Sequence, residues 1–339
     1  MFTGDAMYSF VVDNKGENDS SVTGTYMDIV KQACSLAGDT NTIMNGEKPQ
    51  NKSDYIVSDT ILTAFKYFMY GYKNQIVWMQ GVVPEESFMR RHSRLRFSAL
   101  SYIEKFVLKK SKLLLLVSED MLKHYEKKYK LSLKDKSVIM PCFNETEIVE
   151  DAFFEEKYKK NTFLYVGGMA KWQCFEQIAK LYSQIEKTDR NTMFYVYTFN
   201  KDVANTVIKS LNIKNYTVDY APKDELSEKI KGMKYGFVLR EDCTVNNVAT
   251  PTKFSNYLAN GIIPIYSDSL RSFADVDAKA KVGIVCNIDG LDAGAKRILE
   301  HMTCPVDPDE MKKKCQSVFD AYYNKDVYTE KIKNKLAEL

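Results

Sequence analysis

YGFVLREDCTVNNVATPTKFSNYLANGIIPI, residues 235–265, reads as strand, loop, helix, turn and strand in that order. Tyr235–Leu239 and Ile262–Ile265 are short apolar runs of strand length. Between them Phe254, Tyr257 and Leu258 recur at the spacing of one helix face, which would pack on a sheet. Thr250 is the expected N-cap. Pro251 fills the first helical position, where a missing N–H costs nothing, and Gly261 supplies a left-handed residue past the helix end. A strand–helix–strand unit of this kind joins parallel strands, and parallel strands belong to α/β folds.

The same alternation extends through the 339 residues. In the first half, strands are expected at Tyr8–Val12, Tyr55–Val57, Gln75–Met79, Leu113–Val117 and Ser137–Met140. Helices are expected over Tyr26–Leu36, up to Phe68, over Pro84–Lys110, and from the Ser118 cap to Tyr129, with a polar loop over Asp13–Gly24. A charged stretch, Glu145–Asn161, reads as an inter-domain linker. The second half restarts at Thr162–Val166 and continues with strands at Met193–Tyr197, Tyr216–Val218, Tyr235–Leu239, Ile262–Ile265 and Val282–Val285. The fold class is therefore α/β: two doubly wound Rossmann-like domains, residues 1–150 and 151–305, facing across a cleft. Residues 306–339 are expected to be helices that pack back toward the first domain.

Composition narrows the class. The net charge of +3 is too small to argue for nucleic acid. Seven scattered cysteines without C-x-x-C spacing argue for a reducing compartment and against a zinc ribbon. The N-terminus has no signal-peptide pattern, and no apolar run approaches membrane-spanning length, so a cytoplasmic location is expected. Charge is unevenly spread: residues 84–136 hold 14 Lys and Arg against 7 Asp and Glu. That stretch reads either as a solvated helix face or as peripheral contact with an anionic membrane surface.

Chemistry gathers at the expected strand ends of the second half. Lys253 and Thr252 lie at a helix start, where free N–H groups and the helix dipole favour an anion. A lysine there opposes the dipole by a few tenths of a kcal/mol, a conflict a phosphate would relieve. Arg240 ends the preceding strand. In TFLYVGGMAKWQCFE, residues 162–176, a buried strand runs into Gly167-Gly168, followed by Lys171. The spacing completes neither a P-loop nor a dinucleotide fingerprint. Plain readings stand beside these: an exposed Lys253, an Arg240 ion pair with Glu241 or Asp242, and solvated helix-start acids at Glu85 and Glu86. Asp275-Val276-Asp277 has the spacing of a metal-binding D-x-D, but precedes a strand instead of following one. The three histidines are not spaced as a metal site.

VNNVATPTKFSNYLANGIIPI and YVGGMAKWQ resemble the donor domain of GT-B glycosyltransferases, especially the family 4-like group of bacterial surface-polysaccharide synthesis. IVWMQGVVPEES, LLLLVSEDM and VIMPCFN resemble strands of its acceptor domain. The resemblance implies a hexosyltransferase that moves sugar from a nucleotide-sugar donor to a glycan or lipid-linked acceptor, with retention, without a metal and without a cofactor. It implies Lys171, Arg240 and Lys253 on the donor diphosphate. Gly167, Gly168, Asn246, Pro251, Thr252 and Asn256 would lie around the donor, and Gln80, Gly81 and Glu85 on the acceptor side. The chain departs from that pattern at Gly168, Gln80, Val248 and Asn256, where many relatives carry an arginine, a histidine and two glutamates. A nucleotide-sugar epimerase, or a noncatalytic sugar-nucleotide-binding protein of the same architecture, is the competing reading.

Overall fold

Runs of β-branched, aromatic and leucine residues form the strands of the computed structural model, which describes residues 6–13 and 22–339. In the first half these are β1 (Met7–Val12), β2 (Asp39–Met44), β3 (Tyr55–Ser58), β4 (Gln75–Met79), β5 (Leu113–Leu116) and β6 (Ser137–Ile139). The second half holds β7 (Thr162–Val166), β8 (Met193–Tyr197), β9 (Tyr216–Asp219), β10 (Tyr235–Val238), β11 (Ile263–Tyr266) and β12 (Ile284–Val285). Among the described residues they make two six-stranded sheets, ordered β2-β1-β3-β4-β5-β6 and β12-β11-β10-β7-β8-β9. Every pairing is parallel. Helices fill the crossovers, as parallel connections require.

The first unit comprises the described residues up to Cys142, together with Asn247–Thr250 and Asn324–Leu339. Its central strands β4 and β5 are buried on both faces, with each leucine of β5 fully covered. Burial of one such side chain is worth roughly 1.5–3 kcal/mol. Trp78 of β4 stacks on Tyr26 at 4.1 Å between ring centroids. The second unit comprises Phe143–Asn246 and Pro251–Tyr323. In chain order its six strands run 3-2-1-4-5-6 across the sheet, reversed end for end, with the order switching between β7 and β10.

Several expectations are corrected. The boundaries at 150 and 305 give way to a division after Cys142 and a last crossing after Tyr323. Helix Pro308–Ala321 stays with the second unit, and only the last helix, Lys325–Leu336, groups with the first. The supposed linker is folded: helix Glu155–Lys159 buries Lys157 and Tyr158. Lys157 donates to the carbonyls of Ala152 and Asn260, and burial lowers its pKa to about 7. The helix expected over Pro84–Lys110 is two, Val83–Arg91 and Arg94–Lys110. His92 turns left-handed at φ 51°, and Ser93 caps the second helix. Strand β2 escapes the sequence reading because only Ile43 of its residues is buried. Most of the loop expected over Asp13–Gly24 lies outside the described residues, and the helix after it begins at Val22.

Candidate anion-binding site

In an open parallel sheet, ligands bind beyond the strand C-termini where the strand order reverses. In the second unit that point lies between the ends of β7 and β10. Gly167 follows β7 directly and Arg240 lies two residues past β10. Gly167 donates its N–H to Tyr197 O at 3.0 Å. Its φ of +140° is a conformation that side chains rarely adopt. A Cβ there would also lie 2.9 Å from Lys253 Nζ. The glycine thus lets the lysine ammonium lie against the backbone of the loop.

Arg240 is 5 % exposed. Its backbone is fixed by Ser267 and Ser269, whose hydroxyls accept from its N–H at 3.0 Å and donate to its carbonyl at 3.2 Å. Its Nη1 donates to Leu239 O at 2.8 Å, and its Nη2 donates to Gln173 Oε1 at 2.7 Å. Lys253 Nζ donates to the same Gln173 oxygen, also at 2.7 Å. The ammonium lies 4.4 Å from the Tyr165 ring centroid, and the Tyr165 hydroxyl donates to Gly168 O. Two cations therefore share one neutral acceptor. Among the described residues no carboxylate pairs with either, and the expected Arg240 ion pair with Glu241 or Asp242 is not formed. Two like charges about 4 Å apart repel by about 4 kcal/mol at an effective dielectric of 20, more than a hydrogen bond to a charged group returns. Burial, and then the Arg240 charge, hold the Lys253 pKa well below its ordinary value. Burial lowers that of Arg240 as well.

The other expected site residues divide. Lys171 is exposed at the start of the turn Lys171–Gln173, and no hydrogen bond or ion pair joins it to Arg240 or Lys253. Thr252, not Thr250, is the N-cap of the seven-residue helix Lys253–Ala259, and its side chain makes no capping bond. Pro251 precedes that cap. Thr250 instead accepts the Cys142 N–H at 3.0 Å. A helix this short adds little dipole, so the cations, not its N–H groups, dominate the field. Asn246 donates to Glu241 O and the Cys243 sulfur, which shapes its own loop. Asn256 accepts from Asn144 Nδ2 at 3.3 Å. Asp275 and Asp277 lie inside helix Arg271–Ala280, where Asp277 accepts from Tyr266 and from the N–H groups of Val282 and Gly283.

In the first unit, Gln80 Nε2 is 3.3 Å from Thr23 Oγ1, and Gly81 O accepts from Tyr125 at 2.9 Å. Glu85 is not a solvated acid: it pairs with Lys128 at 2.8 Å and His124 at 3.1 Å. Lys128 also bridges to the buried Glu104. Glu86 pairs with Arg90 at 3.5 Å. The sequence reading missed Gln173 and Tyr165. A glutamine two residues after Lys171 carries no motif, and Tyr165 reads as an ordinary strand residue.

The fold so described is that of the GT-B glycosyltransferases. It resembles sucrose-phosphate synthase from Thermosynechococcus elongatus, with TM-score 0.73 and 10% identity over 98% of each chain. It also resembles Anabaena HepE in complex with UDP and glucose, with TM-score 0.72 and 7% identity, covering 98% of this chain and 100% of that one. A third likeness is to S. aureus TarM in complex with fondaparinux, α-GlcNAc-glycerol and UDP, at TM-score 0.65 and 12% identity. There the match covers 84% of this chain and 56% of that one. No protein-family model matches the sequence, and no curated protein matches it.

Proposed function

We propose that this chain is a glycosyltransferase whose second unit binds a nucleoside-diphosphate sugar and whose first unit binds a glycan or lipid-linked acceptor. The observation that carries the reading is the convergence of Arg240 and Lys253 on one neutral oxygen at the switch point of the sheet. A diphosphate supplies the negative charge that this pair lacks within the protein. UDP in the HepE and TarM complexes supports a nucleoside diphosphate on this fold.

Glycosyl transfer breaks the bond between the sugar and the diphosphate, and charge grows on the departing phosphate oxygens. Cations already fixed by Gln173, Ser267 and Ser269 stabilise that charge without reorganising in the step, and one such group contributes about 3 kcal/mol. This supports transfer that needs no added metal. Retention of configuration, with the departing phosphate assisting attack on the same face, belongs to the same proposal, as does a role for Lys171.

The test is a donor panel with a mixed acceptor set, scored for transfer. Arg240→Ala and Lys253→Ala should each lower kcat/KM about 100-fold. Wild-type rates in both variants would remove the site assignment. Conversion of donor to an epimer without acceptor would favour the epimerase. Tight nucleotide binding with no turnover on any donor would favour a noncatalytic binder.

A further inference from the structure

We propose that the outer face of helix Arg94–Lys110, with the end of the helix before it, docks the first unit on an anionic lipid surface. From Phe88 to Lys110 the only acid is Glu104, and it is fully buried. Every exposed charge on this stretch is therefore basic, with Arg91, Arg94, Lys105 and Lys109 among them. Two large apolar groups stand in the middle of this field: Leu95 is 87% exposed and Tyr102 is 70% exposed. Leu95, Tyr102, Lys105 and Lys109 are spaced i, i+7, i+10 and i+14, which places them on one stripe about 20 Å long. Phe88 adds a further exposed ring at one end.

The chemistry selects the partner. A stripe of cations around a leucine and a tyrosine is the pattern of a helix lying in a membrane interface. The cations meet lipid phosphates, Leu95 enters the acyl boundary, and Tyr102 keeps its hydroxyl at headgroup level. A second copy of this face would be repelled by like charge. A nucleic-acid backbone would satisfy the cations and leave Leu95 in water. Each basic residue near an anionic bilayer raises affinity roughly fivefold. This inference does not depend on the transferase reading.

Co-sedimentation of the full chain with phosphatidylcholine vesicles, with and without about one third phosphatidylglycerol, tests it. Binding should require phosphatidylglycerol and fall with salt. The triple change Arg91→Glu, Arg94→Glu and Lys105→Glu should weaken it at least tenfold. The pair Leu95→Ser and Tyr102→Ser leaves the charge intact and should still weaken it about tenfold. All five positions are exposed, so circular dichroism melts should match the wild type. Vesicle binding insensitive to the Leu95/Tyr102 pair would reduce the face to a general polyanion binder and overturn the proposal. So would tight binding to duplex DNA or RNA without vesicle binding.

Discussion

Gln173 offers one oxygen to two buried cations and can neutralise neither. Gln173→Glu would place a full negative charge there. The free protein should gain stability and the affinity for a nucleoside diphosphate should fall at least tenfold, read by thermal melts and calorimetry. Gly167→Ala combines strained backbone with a contact against the Lys253 ammonium, so it should weaken diphosphate binding by displacing that group. Lys253 also predicts a proton effect. Its pKa in the folded chain is depressed well below 10.5. Across that interval the unfolded chain binds the extra proton, so the stability of the free protein rises with pH there. A bound diphosphate favours the charged form. Binding should then take up a proton, and affinity should decline as pH rises through the depressed pKa. Titrations in two buffers of different ionisation heat should show uptake in the wild type and none in Lys253→Met.

Helix Lys253–Ala259 is the element that delivers Lys253, and Gly236 sets its height above the sheet. A Cβ at Gly236 would lie 2.5 Å from the Tyr257 ring. Gly236→Ala should lift the helix, cost about 1–3 kcal/mol of stability and weaken diphosphate binding, although it touches no ligand. Eleven of the strands, Gly261 as the left-handed helix exit at φ +59°, and the Ser118 cap were legible because apolar runs and local turn chemistry encode them. What failed was long-range or marginal. β2 is an edge strand with one buried residue, and Thr250 is held by Cys142, far away in sequence. The Arg240 and Lys253 cluster was legible as charge at strand ends; its Gln173 bridge was not, because only three-dimensional packing brings an ordinary amide between them. In the first unit, Glu104 joins Arg94–Lys110 to Lys128 and Tyr129, and burial raises its pKa from 4.5 to about 6. The folded state therefore holds the extra proton between those values. Its contribution is full below about pH 4.5 and is lost as pH rises through 6, a swing of about 2 kcal/mol. Glu104→Gln should flatten that decline in melts taken between pH 5 and 8.

At the scale of the molecule, two parallel six-stranded sheets are the framework, each with its own switch in strand order. Among the described residues no helix is long and apolar enough to cross a membrane. The second sheet places glycine, arginine and lysine where its topology favours a ligand, and the neighbours of this fold include complexes with UDP. A ligand held there stabilises the folded chain by mass action, about 2.7 kcal/mol at 100 times its Kd. The most direct measurement is calorimetric titration of UDP into the wild type, Arg240→Met and Lys253→Met. The account predicts saturable one-site binding to the wild type that falls at least tenfold in each variant while their melts stay cooperative. Equal affinity in all three proteins would contradict it.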